Sequence, residues 1–451
     1  VGEIPEMALS PTLIAFHRFG LGAKPGGPAR MGGARTALRA EVQTTNIAAI
    51  VNPNLPTYEQ ACFESQFDFA RAESIRQAEI NARVDKQMSV EIGFVERLVV
   101  FWSNHFSMSV NKTDSIRATI GQWERDVVRR HVLGCFTDML RGTIEHPAML
   151  AYLDNENSIG PNSTTGKNWG VGYNENLARE ILELHTVGSG GGYSEADVTA
   201  FAKMLTGWSY VRGWESDEGW NGGTPENRGR FIYRPDWHEP GSFTVMGKTY
   251  PELGKQQVEC ALNDLAVHPA TAEHIAFKLV RHFITDRPTA AMVAPLKQKF
   301  LQTGGDLKAV ALALLDLPEA WLMPLAKLRT PYEYSIAKYR ALGMRYKNSE
   351  PWVLSEALRA LNQMEWESRS PEGYSDETPT WLNPDAMRVR LNIAQYVSYA
   401  FLPNSTRNVP ALANSLFGEA LSAATRSRLA AAGNSNDALT ILFASPEFQR
   451  R

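Results

Sequence analysis

Hydrophobic positions recur along this chain mostly at helical spacing, and two stretches depart from the usual one-sided pattern. Over residues 91–106, Ile92, Phe94, Val95, Leu98, Val99, Val100, Phe101, Trp102 and Phe106 leave almost no polar side, which predicts a buried helix. The stretch ends in Trp102-Ser103-Asn104-His105-Phe106. A buried Asn–His pair must be hydrogen-bonded or liganded, so it either holds the adjoining loop, residues 107–114, or belongs to a site. The opposite departure lies at residues 172–188, where polar residues are packed most densely inside a helical pattern. Asn174 is the expected N-cap and Gly188 the expected stop. At about 100° per residue, Asn176, Glu180, Glu183 and Val187 share one face, with Leu177, Ile181, Leu182 and Leu184 spread over the other. His185 falls roughly 140° from Glu180 on a regular helix, so such a helix does not aim both at one ion. The paired histidines of a metalloprotease helix are absent. The plain alternative is an ion ladder on a solvated face, because Arg179 stands four residues after Glu175 and four before Glu183.

The remaining pattern is predominantly helical. Helices are expected at 8–22, 35–52, 57–90 (a polar, solvent-facing arm), 115–131, 135–144, about 147–154, 195–206, 255–267, 270–285, 290–303, 306–317, 330–342, 385–400, 411–431 and 436–444. Ser194-Glu195-Ala196-Asp197 reads as a capping box with Asp in the last place. Only residues 209–250 change character: two short strands, 230–233 and 242–245, are expected to be joined through the turn containing His238 and Glu239. His274, Lys278 and Arg281, spaced four and three, form a cationic stripe. It would either pair with Glu180 and Glu183 or hold an anionic group. The expected architecture is mainly α: one large multi-helix domain, with an N-terminal half at 1–208, a small β-hairpin insertion near 209–250 and a helical half at 251–451.

Composition narrows the function classes. The 451 residues are 43% hydrophobic with a net charge of -3, which supports a large core and argues against a nucleic-acid partner. No apolar run reaches the roughly 18 residues of a membrane span. Cys62, Cys135 and Cys260 are far apart and without zinc spacing, and read as buried free thiols. There is no nucleophile elbow, phosphate-binding Gly loop or dinucleotide fingerprint, so no nucleotide cofactor is expected. The chain begins Val-Gly-Glu-Ile-Pro, without a signal peptide or an initiator Met, which leaves export open.

Several motifs resemble one bacterial family. They are Phe101-Trp-Ser-Asn-His-Phe106, His146-Pro-Ala-Met-Leu-Ala-Tyr-Leu-Asp154, Asn174-Glu-Asn-Leu-Ala-Arg-Glu-Ile-Leu-Glu-Leu-His185, Leu205-Thr-Gly-Trp208, His268-Pro-Ala-Thr-Ala272 and Ser445-Pro-Glu-Phe448. In order and over nearly the whole chain they look like the domain-of-unknown-function family numbered eighteen hundred. The resemblance implies a mostly helical protein with no settled activity. It also implies a periplasmic or secreted setting, with a cytoplasmic one still open, and a sulfatase-like protein encoded nearby. The chain departs from the family pattern at His238-Glu239-Pro240-Gly241-Ser242, where His-Asp followed by Gly and Lys is usual, and at Gly373-Tyr374-Ser375, where a Gly-Trp-Pro-like segment is expected.

Two functions are compatible with these residues. The first is an envelope hydrolase acting on a glycan or ester-type polymer. Its catalytic groups would be Glu180, Glu183, His105, His238 and Asp154, and its substrate contacts Asn104, Asn176, Arg179, Trp208, Lys278 and Arg281. A divalent metal is an open question there, and Trp208, Trp214, Trp220 and Trp237 would stack on sugar rings. The second is a non-catalytic helical scaffold whose polar motifs are buried ion pairs. An enzyme would gather Glu180, Glu183, His105 and His238 around one cavity. A scaffold would neutralise the glutamates with Arg179, Lys278 and Arg281.

Overall fold

A computed structural model describes residues 9–64, 68–212, 215, 224, 227–344, 351–400 and 406–451. The protein is mainly α-helical, and its only paired strands among these residues form two short antiparallel ribbons. One contiguous apolar cluster runs from Ile14 to Phe448, so both helical halves share a core. At its centre lies the Phe94–His105 helix, buried along nearly its whole length as its composition dictates. Each large apolar side chain it buries contributes about 1.5–3 kcal/mol.

Helix boundaries in the C-terminal half fall within a residue or two of expectation: Lys255–Ala266, Pro269–Phe283, Ala290–Gln302 and Leu307–Asp316. Here apolar spacing sets the elements, helped by Pro269 at the first turn of one and by the Asp306 side chain capping another. The two His-Pro-Ala motifs turn out to be paired N-caps. The Nδ1 atoms of His146 and His268 accept from the backbone N–H of Ala148 and Ala270, each at 3.2 Å, which satisfies an otherwise orphaned donor. The Ser194–Asp197 capping box forms as read.

Residues 57–90 do not project as an arm. The Phe69–Ser89 helix buries Ile75, Arg76, Glu79, Ile80, Arg83 and Val84, its charged side chains inward because each meets a counter-charge or stacks on a ring. Nor do strands 230–233 and 242–245 pair with each other. Trp208–Tyr210 pairs with Phe231–Tyr233, and Phe243–Val245 with Lys248–Tyr250. The second ribbon turns at Met246 and Gly247, both at positive φ. That is the geometry of a tight hairpin, but Met supplies no sequence signal for it. Cys62 and Cys135 are half-buried and Cys260 is exposed, all as free thiols, so the expectation of burial fails for Cys260, which sits on the outer face of Lys255–Ala266.

Among the described residues, three helices contain a π turn: Ala15–Phe19, Glu124–Val128 and Ile181–His185. Such turns insert one residue and rotate the rest of the helix, and they cluster at functional sites. The third continues directly from the Asn176–Glu180 helix, inside the polar stretch. Among the described residues no helix is long and apolar enough to cross a membrane.

Candidate functional site

An open cleft of about 630 Å³ lies where the end of the polar helix meets the Pro269–Phe283 helix, with residues 372–377 crossing its far side. Glu183, Leu184 and Val187 come from the first, His274, Phe277, Lys278 and Arg281 from the second, and Asn104 from the end of the buried helix. The close approach of the two helices requires Gly188. Its φ is +84°, and a Cβ there would stand 3.2 Å from His274 Cγ. The expected stop therefore also makes room for a neighbour.

The cleft's hydrogen bonds assign its tautomers. His105 Nε2 lies 3.2 Å from the His185 carbonyl and must donate to it. Its Nδ1 then accepts from Lys278 Nζ at 3.0 Å. His274 Nδ1 donates to the Thr186 carbonyl at 2.7 Å, which leaves its Nε2 as a lone pair with no protein partner among the described residues. His185 is fully buried, 6.2 Å from His105 between ring centroids, and neither of its ring nitrogens has a partner among the described residues. All three rings are held neutral. Burial, reinforced by the Lys278 charge, lowers His274 to about 4 and His185 to about 3, and takes His105 well below the usual imidazole range. Burial also lowers Lys278 to about 8; Asp376 and Glu372 resist the shift and Arg281 adds to it. Glu183 accepts from the Tyr193 hydroxyl at 3.2 Å. Glu180, one turn earlier, is pushed up to about 7 by burial and then by the charge of Glu183.

Asn104 acts as a clamp. Its Oδ1 accepts from Tyr374 N and its Nδ2 donates to Tyr374 O, both at 2.8 Å, as a strand edge would. Gly373, at φ +85°, has no room for a Cβ, which would lie 2.5 Å from Asn104 O. The clamped segment separates the cleft from a small inner cavity of about 70 Å³, and Asn104, Tyr374, Ser375 and Asp376 line both. Glu365 faces the inner cavity with both carboxylate oxygens unpartnered by other described residues, and burial raises its carboxyl.

The remaining candidates lie elsewhere, so the single convergent pocket does not form. His238 is buried under the first ribbon, its Nδ1 donating to Thr206 O at 3.1 Å and its Nε2 3.5 Å from Glu252. Its neighbour Glu239 accepts from Asn162 N at 2.8 Å, anchoring the preceding loop. His238, a catalytic candidate of the hydrolase reading, is thus part of a packing knot away from the cleft. Asp154 sits at φ +58° at the surface, paired with Lys112 at 2.6 Å. Asn176 is exposed. Arg179 makes two 2.8 Å bonds to Glu195 and a 3.5 Å contact to Glu175, so it forms an ion pair with neither Glu180 nor Glu183, and its charge only partly offsets the upward shift of Glu180. Trp208 is fully buried and Trp237 nearly so, which removes both as sugar-stacking platforms; Trp214 and Trp220 lie outside the described residues. Lys278 and Arg281 pair with neither glutamate; they face the cleft. Among the described residues no group of three or more His, Cys, Asp or Glu side chains is arranged to hold a metal ion.

Two parts of the cleft carry weak sequence signals. His274 belongs to the cationic stripe but not to the expected site residues, although the stripe's spacing points to it. Residues 373–375 stand out in the sequence only as a departure from the family pattern. Their place in the cleft depends on a contact with Asn104 about 270 positions away, which no local pattern encodes.

A model built for a protein family of unknown function, DUF1800, matches residues 14–450. The chain belongs to the DUF1800 family. No curated protein and no solved structure matches it. The DUF1800 match takes in the buried helix, the polar helix and the Pro269–Phe283 helix, and so every element that lines the cleft.

Proposed function

We propose that the protein is a hydrolase-type enzyme whose active site is this cleft, acting on ester bonds of an extended polymer in the bacterial cell envelope. The observation that carries the reading is the convergence of complementary groups from two distant helices on one open cleft: the Nε2 lone pair of His274, the Glu183 carboxylate, which accepts one bond from Tyr193, and the Lys278 ammonium, which gives one of its N–H groups to His105. His274, its tautomer fixed by Thr186 O, takes a proton from water as the water attacks the acyl carbon, and the imidazolium returns that proton to the alcohol oxygen as the ester's acyl–oxygen bond breaks. Glu183 steadies the charge that forms on the imidazole. Lys278 donates a hydrogen bond to the oxyanion, in a site where such donors act strongly. An open cleft suits a polymer chain lying across it. The burial of Trp208 and Trp237 takes away the support for a glycan platform, so the ester bond is the proposed target. A sulfatase-like partner rests on the family resemblance alone and has no part in this chemistry.

The scaffold reading draws on Arg179, whose ladder to Glu175 and Glu195 is structural. It leaves Lys278 and Arg281 in the cleft without a role. The test is a screen of chromogenic esters and polyester oligomers with the wild type, His274→Gln, Glu183→Gln and Lys278→Met, each checked for folding by circular dichroism. Loss of a general base lowers the rate about 10²–10⁴-fold. Ester cleavage that is equal in all four proteins, or undetectable in the wild type, refutes the proposal.

A further inference from the structure

The arginines of this protein divide by what their guanidinium groups touch. Arg129 is buried, with two N–H groups on Glu96, one on Glu124 and one on the Ala48 carbonyl. Arg340 is directed at backbone carbonyls, those of Gly22, Gln87 and Val90 among them. Arg281 is different. Its side chain is only 25% exposed, yet among the described residues its guanidinium makes no hydrogen bond. Its Nε is buried without a partner, as in Arg97, but unlike those of Arg97 its terminal nitrogens meet no acid among the described residues closer than Glu377, 3.7 Å from Nη1. The guanidinium carbon lies 5.6 Å from the Phe277 ring centroid, so its plane is supported by an aromatic face inside the cleft. Three residues earlier, on the same helix face, Lys278 gives one of its three N–H groups to His105 and has no other acceptor among the described residues.

We infer that Lys278 and Arg281 form a carboxylate subsite, and that the polymer taken by the cleft carries a carboxylate beside the ester presented to His274. This rests on reading the cleft as the active site and adds the substrate class to it. The planar fork of Arg matches a carboxylate through two parallel N–H···O bonds, and the neighbouring ammonium adds a point charge. The other cleft acids do not already fill this role. Asp376 is bonded to His282 at 2.7 Å, Glu273 to Lys297 at 2.7 Å, and Glu183 accepts from Tyr193, while Glu372 and Asp376 act on Lys278 through their charge without a hydrogen bond to it among the described residues. Only Glu377 approaches Arg281, at a distance too long for a hydrogen bond. It is a weak internal occupant that an incoming carboxylate displaces.

The experiment measures binding of succinate, neutral succinamide and inorganic phosphate to the full chain by calorimetry and thermal shift, in wild type, Arg281→Gln, Glu377→Gln and Glu183→Gln. Succinate binds the wild type and succinamide does not. Arg281→Gln weakens succinate about tenfold or more, and Glu377→Gln tightens it, a gain that a folding defect does not produce. Glu183→Gln retains binding, so a failure of the hydrolase proposal is distinguishable from a failure of this one. Succinate binding that is absent in the wild type, or unchanged in Arg281→Gln, overturns the inference. Arg281-dependent binding of phosphate in preference to succinate overturns the carboxylate assignment in favour of a phosphoryl group.

Discussion

The two ends of the Phe94–His105 helix carry charged networks of opposite character. Near its N-terminus, Glu96 meets Arg129 in a two-bond pair of 2.8 and 3.1 Å, Arg129 continues to Glu124 at 3.2 Å, and Arg83 adds a second contact to Glu124 at 3.3 Å. On an adjacent face Arg97 and Arg451 close on Glu333 at 2.8 and 2.7 Å. Burial works against the Glu333 carboxylate, but the two arginines pull it down to about 2. At the C-terminus the same helix delivers His105 to a lysine, beside a histidine with an uncommitted nitrogen and an arginine that makes no hydrogen bond among the described residues. Closed networks of the first kind hold a fold in one arrangement. The second kind leaves donors and acceptors facing a space that a ligand can enter, and this difference, more than the presence of charge, marks the functional end.

The largest effect expected from this contrast is at Glu333. Glu333→Ala strands two buried guanidinium groups and costs about 3–5 kcal/mol, the usual consequence of removing one partner of a buried pair, as measured by urea unfolding. Lys278→Met, at the open end, relieves a half-buried charge and changes stability by less than about 1 kcal/mol while abolishing activity. Equal destabilisation by the two substitutions would mean that the cleft is another closed network and would break the comparison. A smaller effect belongs to His185. Its folded pKa lies near 3, below the ordinary 6.5 of the unfolded chain, so the unfolded state binds the extra proton as the pH falls between those values. Wild-type stability contributed by the neutral ring is complete above about pH 6.5 and is lost toward pH 3. His185→Phe lacks this term, so the melting temperature of the variant relative to wild type must rise between pH 7 and pH 4. A difference that is flat with pH would show that His185 is not neutral in the fold.

Much of the fold was legible because local signals agreed with the global arrangement. The apolar run at residues 91–106 could only be a buried helix, and Pro and cap residues set most C-terminal boundaries. Where sequence reading failed, the decisive partner was remote. Arg76, Arg83 and Glu79 looked solvent-facing because their distant counter-charges and rings are spread over residues 124, 125, 332 and 367. The pairing of Trp208 with Tyr233, rather than a hairpin through His238, depends on a 3-10 turn at Pro235–Trp237 that Pro alone does not specify. For the candidate site, the stripe of Lys278 and Arg281 and the Asn104–His105 pair were visible, and the structure brings them together at one cleft. His238 and Trp208 also looked chemical, but polar and aromatic residues at a buried corner serve packing equally well.

The π turn at Ile181–His185 makes the length of the polar helix a phase setting. One residue fewer in this turn would continue the α-helical repeat, and every later side chain would be turned by about 100°. Glu180 would keep its place, while His185 and the chain beyond it, with the Thr186 carbonyl that fixes the His274 tautomer, would face a different neighbour. A single-residue deletion here therefore disconnects the carboxylates from the imidazoles without altering any of them, so the spacing between residues 180 and 186 carries information that their identities alone do not.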